Sequence, residues 1–118
     1  MSDSNSAPAS ALSDSEYNAQ SSAVLARIES TVDRWLQDDL IDIDTQRTGG
    51  LLELSFPNST KLVVNTQPPL HELWLAARSG GFHFRWVGGR WLDTKSGREF
   101  FETLSQCASA EAGKTLSF

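Results

Sequence analysis

No part of the chain restricts its fold as much as Lys61 to Ala77, KLVVNTQPPLHELWLAA. Two strand-like runs flank Pro68-Pro69, and consecutive prolines lack the backbone donors and the free φ that a continuing ladder needs. The stretch therefore reads as strand, turn, strand. Successive strand side chains point to opposite faces, so Leu73 and Leu75 share one side while Glu72, Trp74, Ala76 and Arg78 share the other. Trp74 is thus expected on the polar face of a two-faced sheet. A tryptophan placed there either covers an edge or anchors a partner, because its large apolar surface is costly to leave in water.

At 118 residues the chain is long enough for one domain with a real core and too short for two. Its net charge of -5 is unevenly placed. Residues 28–46 carry six acids, Glu29, Asp33, Asp38, Asp39, Asp42 and Asp44, against one base, Arg34; from residue 47 onward there are eight bases and six acids. An acidic zone on a slightly basic body points to a cationic partner at one place. One cysteine, Cys107, excludes an internal disulfide, and with only two histidines it cannot build a thiolate zinc site. A reducing compartment fits this cysteine usage. The N-terminus has no basic start followed by an apolar run, and no stretch reaches the roughly 20 apolar residues of a membrane span. A soluble cytoplasmic protein is expected.

Residues 1–12, MSDSNSAPASAL, are too polar to offset the entropy of ordering them and read as a disordered tail ahead of a single domain over 13–118. Ser13-Asp14-Ser15-Glu16 has the form of a capping box, and Tyr17, Val24, Leu25, Ile28, Val32, Trp35 and Leu36 recur at helical spacing. They predict an amphipathic helix over about 14–37, with Glu29 and Asp33 on one stripe beside its apolar face. Ile41 and Ile43 alternating with Asp42 and Asp44 predict a short strand, isoleucines inward and carboxylates outward. Gly49-Gly50 breaks it, Leu52, Leu54 and Phe56 line a second strand, and Leu62 and Val64 a third. A further strand carries Phe82, Phe84 and Trp86 against His83 and Arg85, and Trp91-Leu92-Asp93 is a candidate sixth whose facing is open. Ser96-Gly97-Arg98-Glu99 repeats the capping-box form before a second helix with Phe100, Phe101, Leu104, Cys107 and Ala108 on its apolar face. Leu116 and Phe118 are expected to cover the space between the helix ends. The fold class is α+β: two helices packed on one face of a five- to six-stranded antiparallel sheet.

That order, with Asn65-Thr66-Gln67-Pro68-Pro69-Leu70-His71-Glu72-Leu73-Trp74-Leu75-Ala76, Ser79-Gly80-Gly81-Phe82-His83-Phe84 and Ser96-Gly97-Arg98-Glu99, resembles the frataxin family, specifically its bacterial branch, from Ser13 to Phe118. The resemblance implies an α/β sandwich that binds iron weakly and reversibly on an acidic ridge. It also implies a regulatory, adaptor role in iron-sulfur cluster assembly through contact with the cysteine desulfurase and the scaffold protein. Carried over position by position, the ridge is Glu29 and Asp33 on the first helix with Asp38, Asp39, Asp42 and Asp44 on the loop and first strand. Asn65, Gln67 and Trp74 fall on the sheet surface the family uses for protein partners. Ser30 and Arg34 stand where bacterial relatives usually carry acids, and the helix-strand connection is about two residues longer. Fewer or weaker metal sites follow from that thinner ridge. A monomer is expected, with oligomerisation on iron as the alternative.

Taken without the family, clustered exposed carboxylates are hard oxygen ligands for divalent or trivalent cations, or simply a solvated acidic face, since no calcium-loop or Glu-x-x-His spacing fixes a coordination shell. His71 and His83 are solitary and read as surface or packing residues, and Cys107 as a small buried hydrophobe. No nucleophile is paired with a base, so an enzyme is not expected. The alternative is a sheet-surface module, without a metal role, for a protein or for single-stranded nucleic acid gripped by Trp74, Arg78, Arg85, Trp86 and Arg90. The net acidity argues against nucleic acid.

Overall fold

The computed structural model describes residues 12–118; residues 1–11, on which the expected tail falls, lie outside them. Leu12 is partly buried against the core. Helix α1 runs Asp14–Gln37, and its first turn closes with the predicted box: the Ser13 hydroxyl accepts from the Glu16 amide at 3.1 Å while the Glu16 carboxylate accepts from the Ser13 amide at 2.9 Å. Six strands follow: β1 Asp44–Thr48, β2 Leu51–Ser55, β3 Lys61–Gln67, β4 Glu72–Ala77, β5 Gly80–Val87 and β6 Arg90–Asp93, with a 3-10 turn at Pro68–Leu70 between β3 and β4. Helix α2, Phe100–Ala112, completes the elements. Every strand pairs antiparallel with its sequence neighbour, in the order β1-β2-β3-β4-β5-β6. Connections this short permit only that meander.

Register sorts the residues onto two faces. Leu52, Val64 and Leu75 lie directly opposite one another along one row, Leu54 pairs with Leu62, and Leu73 with Phe84; all are buried. Against this face pack Tyr17, Val24, Leu25, Ile28, Val32 and Trp35 of α1 and Phe100, Leu104 and Ala108 of α2, in one continuous core. Trp91 faces inward too, edge-on to Tyr17 and to Trp86. Its strand parity then puts Leu92 on the other face, half-buried. Leu116 is buried and Phe118 packs on Trp35 at 4.7 Å, closing the gap between helix ends as expected.

Three local expectations shift. The first strand begins at Asp44, because the Gly49-Gly50 turn sets Thr48 opposite Leu51 and the ladder counts back from there to Asp44 opposite Ser55. Ile41 to Ile43 form an extended, unpaired approach; Ile43 is buried, Ile41 packs partly on the core, and Asp42 and Asp44 stay outside. Leu36, expected on the apolar face of α1, is 54% exposed, and Trp35 takes the core position of the last turn. Helix α2 is capped by Glu99, whose carboxylate accepts from the Phe101 and Glu102 amides at 2.9 and 3.0 Å. Ser96 does not cap it: its hydroxyl accepts from the Arg98 amide at 3.2 Å while donating to Asp93 at 2.6 Å, and Gly97 turns the chain through φ 77° before the helix starts.

Candidate functional site

The face of the sheet away from the helices is organised around a carboxylate. On β4 the outward positions are Glu72, Trp74 and Ala76, and register places Asn65 and His83 on either side of Trp74, and Gln67 and Arg85 on either side of Glu72. Two adjacent rows therefore read Asn65, Trp74, His83 and Gln67, Glu72, Arg85. Within them the Trp74 indole Nε1 donates to Glu72 Oε1 at 2.8 Å, and Arg85 Nε donates to Glu72 Oε2 at 2.7 Å. The His83 ring stacks on Trp74 with centroids 4.2 Å apart and planes 6° from parallel, its Nδ1 3.8 Å from Glu72 Oε1. Glu72 is only 4% exposed although it points away from the core, since the side chains over it supply the cover. Burial alone would raise its carboxyl, but the hydrogen bonds from Trp74 and Arg85 and the nearby Arg85 and His83 charges outweigh it and hold the group below its ordinary value of 4.5.

The rows are pinned from the helix side. The Tyr17 hydroxyl donates to the Glu72 carbonyl at 2.7 Å and accepts from the Gln67 amide at 2.9 Å, so one α1 side chain ties the ends of β3 and β4. Burial raises the phenol above its ordinary value of 10.0, keeping it a neutral donor. His71 closes the 3-10 turn in the left-handed region at φ 52°, stacks on Tyr17 at 4.8 Å and meets Asp14 Oδ1 at 2.8 Å. Asn65, Gln67 and Trp74, singled out from the sequence, share this outer face and all are half-buried. Glu72 and His83 are not among the sequence-predicted site residues, and Arg85 is there only under the nucleic-acid alternative. The i,i+2 spacing of Glu72 and Trp74 hinted at the first; the other two needed the β4–β5 register.

The six acids singled out for metal lie along the α1 and β1 edge and are not drawn together. Glu29 is half-buried and paired with Arg47 Nη1 of β1 at 2.9 Å. Asp33, Asp38, Asp39, Asp42 and Asp44 are exposed. Asp38 caps the C-terminus of α1 and Asp39 follows at φ 57°, with the Asp39 amide donating to Leu36 and the Leu40 amide to Trp35. This is a left-handed helix stop with aspartate where glycine is commonest. Both carboxylates sit at the negative end of the helix dipole, an arrangement that a nearby cation relieves. Lys114 Nζ already donates to the Leu40 carbonyl there, at 2.8 Å. Among the described residues no three His, Cys, Asp or Glu side chains converge as a metal-holding group. The donor chemistry suits a hard cation that keeps much of its water, and the geometry provides no cage.

Cys107 is buried and free; burial and the Glu111 carboxylate push its thiol above the ordinary 9.0, against the Ser79 hydroxyl. That suits packing better than nucleophilic chemistry. No described helix is long and apolar enough to cross a membrane.

Two helices on one face of a six-stranded meander, with an acidic edge and an aromatic, hydrogen-bonded outer face, define an α/β-sandwich protein built around surfaces. The family model for the frataxin-like domain matches residues 10–114. The chain belongs to the frataxin family. A relative from Variovorax paradoxus strain S110, named iron-sulfur cluster assembly protein CyaY, is 51% identical over 107 residues, covering 91% of this chain and 97% of the relative. Its namesake from Paraburkholderia phytofirmans strain PsJN is 50% identical, covering 91% and 98%. Among solved structures, the frataxin of Psychromonas ingrahamii superposes with a TM-score of 0.72 at 33% identity, over 90% of this chain and 97% of that one. Trimeric yeast frataxin complexed with ferrous iron superposes at 0.67 over 80% and 86%; its 24% identity makes this a likeness of fold.

Proposed function

We propose that this protein acts in the cytoplasm as a non-enzymatic, iron-binding adaptor of iron-sulfur cluster assembly, regulating a cysteine desulfurase and its scaffold protein. The observation that carries the reading is the placement of two unlike surfaces on one rigid sheet. The α1–β1 edge offers carboxylates to a cation or a basic patch, and the outer face offers Trp74 with Asn65 and Gln67. Iron binds weakly at the edge through subsets of Glu29, Asp33, Asp38, Asp39, Asp42 and Asp44, its shell completed by water. The relatives named for iron-sulfur cluster assembly support the metal and the pathway.

The groove between α1, β6 and the start of α2 bears on the non-enzymatic reading. It measures about 650 Å³ and is lined by Arg27, Trp86, Arg90, Trp91 and Glu99 among others. Glu99 there is committed to capping α2, and the Arg27 guanidinium lies 3.8 Å from the centre of the Phe101 ring. Neither is left to work as an acid-base pair. The nucleic-acid alternative also loses ground, because Arg85, which shares that face with Trp74, is turned onto Glu72.

A ferrous titration under anaerobic conditions, followed by NMR, tests the metal half of this reading. Paramagnetic broadening should gather at residues 29, 33 and 38–44 and spare Asn65 and Trp74, and calorimetry should show the iron displaced by excess manganese or cobalt. Broadening scattered over all the carboxylates, or tight binding indifferent to manganese, would overturn it.

A further inference from the structure

We infer that Glu72 is the positioning residue of the outer face, fixing the Trp74 indole and the Arg85 guanidinium in the arrangement that a partner meets. The inference rests on reading that face as a partner-binding surface, and it concerns how the surface is built. A tryptophan on an open strand face can sample several rotamers, and a partner that selects one must bear the entropy of freezing it. Here the choice is already made. The indole N–H reaches Glu72 Oε1 at 2.8 Å while the flat of the ring lies against His83 at 4.2 Å, so one contact fixes the ring's direction and the other its plane.

Each carboxylate oxygen has its own donor, Trp74 on Oε1 and Arg85 on Oε2, so the carboxylate orients both. Its own backbone is held in turn: the Glu72 carbonyl accepts from Tyr17, and the residue pairs with Gln67 at the end of the β3–β4 ladder. The chain of positioning thus runs from α1 through the strand to the half-buried Trp74 ring. An acceptor that merely filled space would not need to be ionised, whereas this group is held below the ordinary glutamate value by the donors it positions.

The test reads Trp74 before any partner is added. With the Trp74 indole cross-peak assigned by Trp74→Phe, Glu72→Ala should move that peak and speed its hydrogen exchange about tenfold, the loss of one charge-assisted hydrogen bond. Glu72→Gln, which keeps an acceptor for the indole, should restore most of the protection. In the parent the peak should titrate at acid pH, below the ordinary glutamate value, and in Glu72→Gln it should not. An unchanged indole signal and exchange rate in a folded Glu72→Ala would overturn the inference. Affinity for the purified scaffold protein is measured separately: Glu72→Ala should weaken it about fivefold, Glu72→Gln less. If Trp74→Ala itself bound the scaffold like the parent, the surface would have been misread, while the NMR result on Glu72 would stand or fall independently.

Discussion

Along the α1–β1 edge lie six separate carboxylates, five of them exposed and the sixth, Glu29, tied to Arg47. On the outer face of β4 a single carboxylate, Glu72, is 4% exposed with both oxygens occupied by donors. The first region holds charge in reserve, where its field reaches outward and salt can screen it. The second has consumed its charge internally and uses it to hold shape. One molecule can therefore meet two partners by different physics: long-range attraction at the edge, and enclosure of a prepared tryptophan on the face.

The comparison is broken most directly at Trp74. Truncation to alanine should cost about 2 kcal/mol of scaffold affinity, roughly thirtyfold, expressed mainly as faster dissociation. The melting temperature should fall only modestly, because the ring lies on the face opposite Leu73 and Leu75 and what its removal costs the fold is the contact with Glu72 and His83. Surface plasmon resonance with a thermal melt as control reads both. A collapse of stability would place Trp74 in the core's economy, and unchanged kinetics would remove the face from the mechanism.

Neutralising the edge should do the reverse. A quadruple Asp→Asn variant at 38, 39, 42 and 44 should slow association with the desulfurase by roughly tenfold at low salt and flatten its salt dependence, leaving dissociation nearly unchanged. Its melting temperature should equal or exceed the parent's, since Asp38 and Asp39 stand at the unfavourable end of the α1 dipole and face like charges. Melting well below the parent would mean that these carboxylates make structural hydrogen bonds, and the contrast with Glu72 would fail.

Acid separates the regions in another way. Glu72 and Asp93 both have carboxyls held below their ordinary values: burial, which would raise each, is outweighed at Glu72 by Trp74 and Arg85, and at Asp93 by Ser96 and the adjacent backbone amides. A depressed folded value means that the unfolded chain binds more protons just below pH 4.5, so their stabilisation is complete above that pH and is lost as pH falls through the folded values. Glu72→Gln should therefore flatten the acid limb of a stability-pH curve relative to the parent. Parallel acid limbs in parent and Glu72→Gln would show that Glu72 carries no linkage.

Much of this was legible in the sequence because period and punctuation agreed. The Pro68-Pro69 turn, the parity of Leu73 and Leu75, and the Ser13–Glu16 box each specify local geometry without help from elsewhere, and the sandwich follows from them. What escaped notice depends on register. That Asp44 begins β1, or that His83 and Arg85 flank Trp74 and Glu72, is decided by how hairpins align, and alternation within one strand does not report it. Parity places Glu72 on the polar face; its burial comes from Trp74 beside it and Arg85 one strand away. Trp91 and Leu92 had equal claims to the core until pairing with β5 set Trp91 opposite Trp86. The edge acids were easy to find and hard to assign, since a run of exposed carboxylates reads alike whether it binds a metal, a protein or water.

The smallest effect tests the boundary between the two kinds of charge. Glu29 is the one edge acid already engaged, by Arg47 at 2.9 Å, with both side chains 33% exposed. A pair so open to solvent contributes only about 0.5 kcal/mol, because screening and side-chain entropy offset most of the attraction. Arg47 sits at an inward-parity position of the edge strand β1, directly opposite the buried Leu52, where a long aliphatic stem can lie over apolar neighbours. Arg47→Met should keep such a stem, remove the cation and release Glu29. Stability should then fall by no more than about 0.5 kcal/mol, while ferrous broadening at Glu29 and Asp33 should begin at lower iron concentration than in the parent. If the released carboxylate draws no more metal, iron at the edge is governed by Asp38, Asp39, Asp42 and Asp44 alone, and Glu29 belongs with Glu72 among the charges used to hold shape.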